Sequence, residues 1–127
     1  MLGEFPCRSI VEHFHATAKT YSEEYTVQTF VRLSRAYKIS QADNSSTADY
    51  SINRLFFTPA FENLIEEYKY GLRKEHAMTW DNAFLVAECL IDIGYVDYEV
   101  FSILLNMVEA KLNKQQRNST EIRTFQI

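Results

Sequence analysis

Residues 58–94 read TPAFENLIEEYKYGLRKEHAMTWDNAFLVAECLIDIG and contain the start and stop signals of two successive helices. Thr58 followed by a proline is typical of a helix N-cap with proline at the first helical position. Thr79 is a second candidate N-cap. Gly94 is a candidate C-cap, because glycine readily adopts the left-handed conformation that ends many helices. The stretch therefore predicts a helical hairpin at about 59–93.

The apolar spacing of this hairpin recurs along the chain. Its first helix has apolar residues at the i, i+3, i+4 spacing of one helix face, and two other segments share that spacing. The three matching sets are Phe61, Leu64, Ile65, Tyr68 and Leu72, then Phe101, Leu104, Leu105, Val108 and Leu112, and Cys7, Ile10, Val11, Phe14 and Ala18. Because one hairpin cannot cover its own apolar face, the recurrence favours stacked hairpins. The alternative is that unrelated amphipathic helices align equally well.

The predicted fold is all-α, with about five helices arranged as antiparallel helical hairpins in an α-solenoid-like repeat. The hairpins are placed at about 8–39 and 59–93, and an extra helix at about 97–114. Positions in the second helices of the two hairpins also match, at an offset of 54 residues. The first hairpin consists of a helix at about 8–20 and a second one that Ser22 caps. The helix of residues 80–93 is apolar on most sides, so we expect it to be the most buried.

Two polar segments complete the predicted organisation. Residues 40–51 are rich in serine, asparagine and threonine, which predicts a loop between the two hairpins. Residues 1–114 would then form a single helical-repeat domain. The polar C-terminal tail, 115–127, is expected to fray or to dock on another molecule through Ile122, Phe125 and Ile127.

Composition excludes several classes of protein. The 127 residues are 46% hydrophobic with a net charge of −4, so the chain can form a packed core and has no overall attraction to polyanions. Two cysteines exclude a dense disulfide framework. No stretch reaches the roughly 20 apolar residues of a membrane span, and neither a secretory signal nor a typical transit peptide is visible at the N-terminus.

Residues 82–105, NAFLVAECLIDIGYVDYEVFSILL, resemble a helix, a Gly-Tyr turn and the next helix of organellar helical-hairpin repeat proteins. These are the FAST-kinase-like, octotricopeptide and heptatricopeptide class, and the likeness covers about 57–112 and, more loosely, 7–40. The resemblance implies a mitochondrial location and either RNA binding or a structural role in a mitochondrial ribosome or a related assembly. A cytoplasmic location is the alternative. The RAP domain that often ends such proteins is not in this sequence, which argues against a nuclease-like role.

Two basic clusters are candidate contacts for RNA or a protein partner. The first lies on the second helix and consists of Gln28, Arg32, Arg35 and Lys38. The second, near the C-terminus, consists of Lys111, Lys114 and Arg117, where basic residues also suit a helix end. The fourth helix has an acidic stripe that would interrupt an RNA groove across the repeats: Asp81, Glu88 and Asp92. A solvated face or a protein contact is therefore the simpler explanation of the basic residues. Tyr95 and Tyr98 beside the Gly94 turn are candidate interface residues.

No residue pattern predicts catalysis, a metal site or a cofactor. His13 and His15 are two residues apart, which places them on different sides of a helix, so they would not chelate a metal as a pair. Glu62 and Glu66 are one turn apart but lack the histidine of a di-iron site. Three glycines leave little from which to form a phosphate-binding loop.

The sequence therefore favours a non-enzymatic scaffold or adaptor subunit that binds other protein subunits of a larger assembly. An RNA-binding repeat protein that uses the basic cluster of the second helix is the first alternative. The second is a small immunity or regulatory protein that blocks one partner, because an acidic balance suits inhibition of a basic nuclease.

Overall fold

The computed structural model describes the backbone of residues 6–74 and 76–125 and the side chains of residues 6–42, 51–74 and 76–114. These residues form α-helices without a strand, which confirms the predicted all-α class. The helices are α1 (Pro6–Thr17), α2 (Glu23–Leu55), α3 (Pro59–Arg73), α4 (Trp80–Ile93) and α5 (Tyr98–Phe125). The chain divides into two compact units, Met1–Val96 and Asp97–Ile127, so that α5 belongs to the second unit.

The predicted helix ends are confirmed by their hydrogen bonds. The hydroxyl groups of Ser22, Thr58 and Thr79 each accept the backbone N–H three residues later, at 3.2–3.3 Å. Gly94 has a φ of 78°, and backbone N–H groups there close the last turn of α4. The carboxylate of Asp97 accepts two backbone N–H groups at the start of α5, at 2.9 and 3.3 Å. Each cap satisfies backbone groups that a helix end leaves without an intrahelical partner.

The predicted loop at 40–51 is wrong, because the backbone of α2 is helical without interruption from Glu23 to Leu55. Serine, asparagine and threonine lower helix propensity by less than about 1 kcal/mol each, so an established helix can continue through them. The buried side chains of Ile52 and Leu55 hold the far end of α2 in the core.

Two other helix boundaries also differ from the prediction. The first helix covers Pro6–Thr17 instead of about 8–20. The last helix does not end near Lys114 but continues to Phe125, so the predicted tail is helical up to that residue. The side chains of residues 115–127, including the apolar ones expected to dock, lie outside the described residues.

In the first unit, α2 packs most closely against α4 and then α1, and α1 also packs along α3. α1 is thus a neighbour of α3, and α2 is a neighbour of α4. Matching positions of α1 and α3 are buried alike, namely Cys7 with Phe61, Val11 with Ile65, and Phe14 with Tyr68. Matching positions of α2 and α4 differ in burial. Phe30 is buried, whereas Phe84 is 41% exposed.

The connection between α1 and α2 lies against the α3–α4 turn. The Tyr21 hydroxyl donates to the carbonyl oxygen of Ala77 at 2.7 Å, and its ring centroid is 5.0 Å from that of Tyr70. Gly71 permits this approach because it has no side chain: an added Cβ would lie 2.5 Å from Tyr21 Oη. The α1–α2 connection is therefore fixed to the α3–α4 turn and to the end of α3.

Glu23, at the start of α2, joins the same junction to the start of α4. Its Oε2 atom accepts the backbone N–H of Thr79 at 2.8 Å and the side-chain amide of Asn82 at 2.7 Å. These hydrogen bonds lower the pKa of Glu23, and the bond from the Thr79 backbone has the largest effect. The ionised carboxylate therefore holds the N-terminus of α4 in place.

Gly71→Ala is expected to lower the free energy of unfolding by about 1–3 kcal/mol, although alanine is the better helix former. The added Cβ would meet Tyr21 Oη at 2.5 Å and Met78 Cε at 2.9 Å. Tyr21→Phe removes the nearer of these atoms, so the cost of Gly71→Ala should be smaller in that background. Guanidinium denaturation of the four proteins in this double-mutant cycle measures the coupling. An equal cost in both backgrounds would show that the Tyr21 hydroxyl is not the source of the cost.

The junction should also make stability depend on pH through Glu23. Because its pKa is lower in the folded protein, its stabilising contribution is present above the unfolded-state pKa and is lost as pH falls through the folded-state value. Glu23→Gln should therefore be less stable than the wild type at pH 7, and this difference should shrink between about pH 5 and pH 3. Urea denaturation across this range gives the measurement.

Glu24→Gln is the matched control, because it removes a neighbouring exposed carboxylate from the same first turn of α2. It should retain the wild-type dependence of stability on pH. If Glu23→Gln and Glu24→Gln behaved alike, the bonds from Thr79 and Asn82 would not be the source of the effect.

Candidate interaction surfaces

The predicted basic cluster on α2 is divided between two sides of the helix. Gln28, Arg32 and Arg35 are exposed and, at i, i+4 and i+7, lie on one face. Lys38 is turned toward α4, where its Nζ atom lies 2.9 Å from Oδ2 of Asp92. The hydrogen bond and charge of Asp92 raise the pKa of Lys38. Lys38 therefore pairs with the predicted acidic stripe and does not extend the row formed by the other three residues.

The same carboxylate also bonds a hydroxyl group of α2. The Ser34 hydroxyl, in a residue that is only 4% exposed, donates to Oδ2 of Asp92 at 3.2 Å. Asp92 thus accepts both a neutral and a charged donor from α2, which fixes the register of α2 and α4 at this level. One residue of the predicted acidic stripe is consequently part of the helix packing.

A shallow groove of about 220 Å³ lies between α1 and α2, on the side of Arg32. We call it the α1–α2 groove. Its lining residues are Ser9, Ile10, His13, Tyr25, Thr29 and Arg32. Of these residues, only Arg32 belongs to a site predicted from the sequence. The usable signal was the i, i+4 spacing of Ser9 and His13 on one face of α1, opposite a face of α2 with the same spacing.

Two contacts fix the register across the groove. At one end, Cys7 Sγ donates to the carbonyl oxygen of Leu33 at 3.6 Å, and at the other end the hydroxyl groups of Thr17 and Tyr25 are hydrogen-bonded to each other. The helices are therefore antiparallel, and later positions on α1 lie opposite earlier positions on α2. This places Ser9 at the level of Arg32, and residue 13 at the level of residue 29.

The outer side of α4 is apolar and exposed. Phe84, Leu85 and Ile91 are 41%, 39% and 65% exposed, and the indole ring of Trp80 stacks on the ring of Phe84 at a centroid distance of 5.1 Å. The exposed carboxylates of the acidic stripe lie among them. We define the α4 surface as Asp81, Phe84, Leu85, Glu88 and Ile91.

The prediction that α4 would be the most buried helix is wrong. It has six buried residues, whereas α3 has eight. The physical reason is that α4 packs closely along α2 on one side, and its other apolar side extends beyond the helices that could cover it. A helix that is apolar on most sides and covered on only one of them exposes an apolar surface.

The two predicted interface tyrosines have different surroundings. The ring of Tyr95 packs against the rings of Phe56 and Phe61, with both centroid distances at 5.0 Å, and the residue is half-buried. It holds the end of α4 against the α2–α3 turn, which is a packing role. Tyr98 is 84% exposed. In the second predicted basic cluster, Lys111 and Lys114 are exposed on α5, and the side chain of Arg117 lies outside the described residues.

The cysteines are buried free thiols. Burial raises the pKa of Cys7 to about 12 and also raises the pKa of Cys89, so both are protonated near neutral pH. A protonated thiol is a poor nucleophile and a poor metal ligand. Both histidines of α1 are exposed, and His76 lies in the α3–α4 turn with a φ of 65°.

Neither a metal centre nor a membrane segment emerges from the part of the chain that the structure describes. It contains no group of three or more His, Cys, Asp and Glu residues that could hold a metal ion. No helix in this part is both long and apolar enough to cross a membrane. Comparisons with protein-family models, curated proteins and solved structures found no match to this chain.

Proposed function

We propose that this protein is a non-enzymatic adaptor or scaffold subunit that binds another protein through its α4 surface. The observation that carries the proposal is the exposure of Phe84, Leu85 and Ile91 on a helix whose opposite side is part of the core. Transferring apolar surface from water to an interface is favourable by about 25 cal/mol per Å². Several large apolar side chains exposed on one side of a helix are typical of a protein interaction site.

The charge of the α4 surface indicates the chemistry of the partner. Asp81 and Glu88 are exposed among the apolar residues and have no ion pair within the described part of the chain. A partner segment that presents apolar side chains together with lysine or arginine would be complementary to this surface. The net charge of −4 favours the same kind of partner.

The helix packing supports a solenoid-like arrangement, which is part of the proposal. Hairpins stack in a solenoid so that first helices adjoin first helices and second helices adjoin second helices, as α1 with α3 and α2 with α4 do. In this arrangement α4 is the second helix of the second hairpin, and its outer side faces away from α2. A helix of a partner protein that packs on this side would continue the stack.

The type of assembly is proposed from the resemblance of residues 82–105 to organellar repeat proteins. It makes a mitochondrial ribosome or another organellar complex the leading candidate, with a cytoplasmic complex as the alternative. The α4 surface would bind the partner in an organellar and in a cytoplasmic complex alike. Its role can therefore be tested before the compartment is known.

Ile91→Lys should reduce the recovery of co-purifying protein subunits at least about tenfold, which corresponds to about 1.4 kcal/mol of binding free energy. The measurement is affinity purification of the tagged chain followed by mass spectrometry. Phe57→Lys is the matched control, since Phe57 is an exposed apolar residue, 84% accessible, outside the α4 surface. It should leave recovery unchanged.

The identity of the recovered proteins separates the alternatives. Several subunits of one particle, lost together in Ile91→Lys, would support an adaptor. A single basic protein would favour the small regulatory protein instead. If the same partners were recovered with the wild type and with Ile91→Lys, the α4 surface would not be the interface.

RNA binding is the second candidate, and the exposed row of Gln28, Arg32 and Arg35 favours it. The two arginines make no ion pair with another described residue. The row lies on the side of the α1–α2 groove, whereas Lys38 and Asp92 pair on the α4 side. The acidic stripe is therefore separated from this row.

Arg32→Glu combined with Arg35→Glu should strongly weaken the salt-dependent binding of the protein to single-stranded RNA. Removal of two phosphate contacts is expected to reduce the slope of log K against log salt concentration by about 1.4. Fluorescence anisotropy over a range of salt concentrations measures both quantities. Lys19→Glu combined with Lys74→Glu is the charge-matched control, because both lysines are exposed and neither belongs to a predicted basic cluster. RNA binding that both double variants preserve would exclude this row as the RNA site.

A further inference from the structure

We propose that the α1–α2 groove is a binding site for a small ligand that contains a phosphate group, such as a phosphate monoester. The groove lies on the α1 side of α2 and shares no residue with the α4 surface. It would therefore be a second site, independent of the proposed protein interface.

The polar side chains of the groove are predominantly donors. Arg32 provides a guanidinium group, His13 an imidazole and Ser9 a hydroxyl, and no acidic residue lines the groove. Among the described residues, no hydrogen bond or ion pair engages these three side chains. The other two polar groups are already used, since the Thr29 hydroxyl donates to the carbonyl oxygen of Tyr25 at 2.7 Å and the Tyr25 hydroxyl bonds Thr17.

The register brings these donors together. Ser9 and His13 are one turn apart on α1, and Arg32 stands across the groove at the level of Ser9. An anion between the two helices could thus accept a hydroxyl from one wall and a guanidinium from the other, with the imidazole one turn away. The planar fork of arginine donates two parallel hydrogen bonds to a phosphate, and such charge-assisted bonds are about twice as strong as neutral ones.

No carboxylate of the described side chains competes for these donors. The acidic residue of α1 next to His13 is Glu12, which pairs with Arg8 at 2.8 Å. It is not among the residues that line the groove, and its ion pair with Arg8 partly offsets its charge. A ligand with its own negative charge would provide the missing acceptor.

The apolar part of the lining limits the size of the ligand. Ile10 and the ring of Tyr25 form an apolar wall, and the ring is held by Phe14 at a centroid distance of 4.9 Å. A volume of about 220 Å³ is below the 300–1,000 Å³ usual for sites of drug-sized ligands. The groove therefore suits a phosphate with one small apolar or aromatic substituent.

Titration of the full chain with phenyl phosphate, followed by ¹H–¹⁵N NMR, tests the proposal. Saturable shifts are expected at Ser9, His13, Thr29 and Arg32, with weaker binding of inorganic phosphate and none of phenol. Arg32→Gln should weaken binding at least about tenfold, because it removes a charge-assisted hydrogen bond. Arg35→Gln is the matched control: it removes the same charge one turn away, outside the lining, and should change binding less than about twofold.

Three outcomes would overturn the proposal. The first is the absence of saturable shifts up to about 10 mM phenyl phosphate, well beyond the concentration that a site of millimolar affinity needs. The second is an equal loss in Arg32→Gln and Arg35→Gln, which would indicate diffuse attraction to a positive surface. The third is an Arg32-dependent response to single-stranded RNA without a response to phenyl phosphate, which would assign the groove to the RNA candidate. Each outcome is independent of whether the α4 surface binds a protein.

Discussion

Burial of the Tyr68 hydroxyl is the constraint on which the packing of the first unit depends. Tyr68 lies in α3 and is fully buried, its ring meets that of Phe30 in α2, and its hydroxyl donates to the carbonyl oxygen of Ala83 in α4 at 2.7 Å. Burial raises the pKa of this hydroxyl, so it remains a neutral donor. An unpaired buried hydroxyl would cost roughly 1–3 kcal/mol, so α4 must lie where Ala83 can accept this bond. One side chain thus sets the positions of three helices.

The position of α4 decides what the protein exposes. With one side against α2, and with Asp92 bonded to Ser34 and Lys38 along the contact between them, the helix can turn only its opposite side outward. That side is apolar, and its exposure is what connects the fold to a proposed adaptor function. The junction at the other end of the hairpins, where Tyr21 and Glu23 bond the α3–α4 turn, keeps α4 from rotating to bury it.

The two sides of α2 therefore have different chemistry. Toward α4, polar groups are paired with one another, and the exposed surface beyond them is apolar and acidic. Toward α1, a small groove is lined by hydrogen-bond donors that have no acceptor among the described residues. A protein partner with basic and apolar side chains suits the first side, and an anionic group suits the second. Apart from the Lys38–Asp92 ion pair, the predicted basic and acidic residues of α2 and α4 therefore lie on different sides of the first unit.

The sequence by itself determined the helical class and the helix ends at Ser22, Thr58, Thr79 and Gly94, because a cap depends on hydrogen bonds within a few residues. It also placed Arg32 and Arg35 on one exposed face, which follows from helical spacing. Only the tertiary structure decided that α2 continues through 40–51, that Lys38 pairs with Asp92, and that one side of α4 is uncovered. These features depend on contacts between residues far apart in the chain, whose register no local pattern specifies.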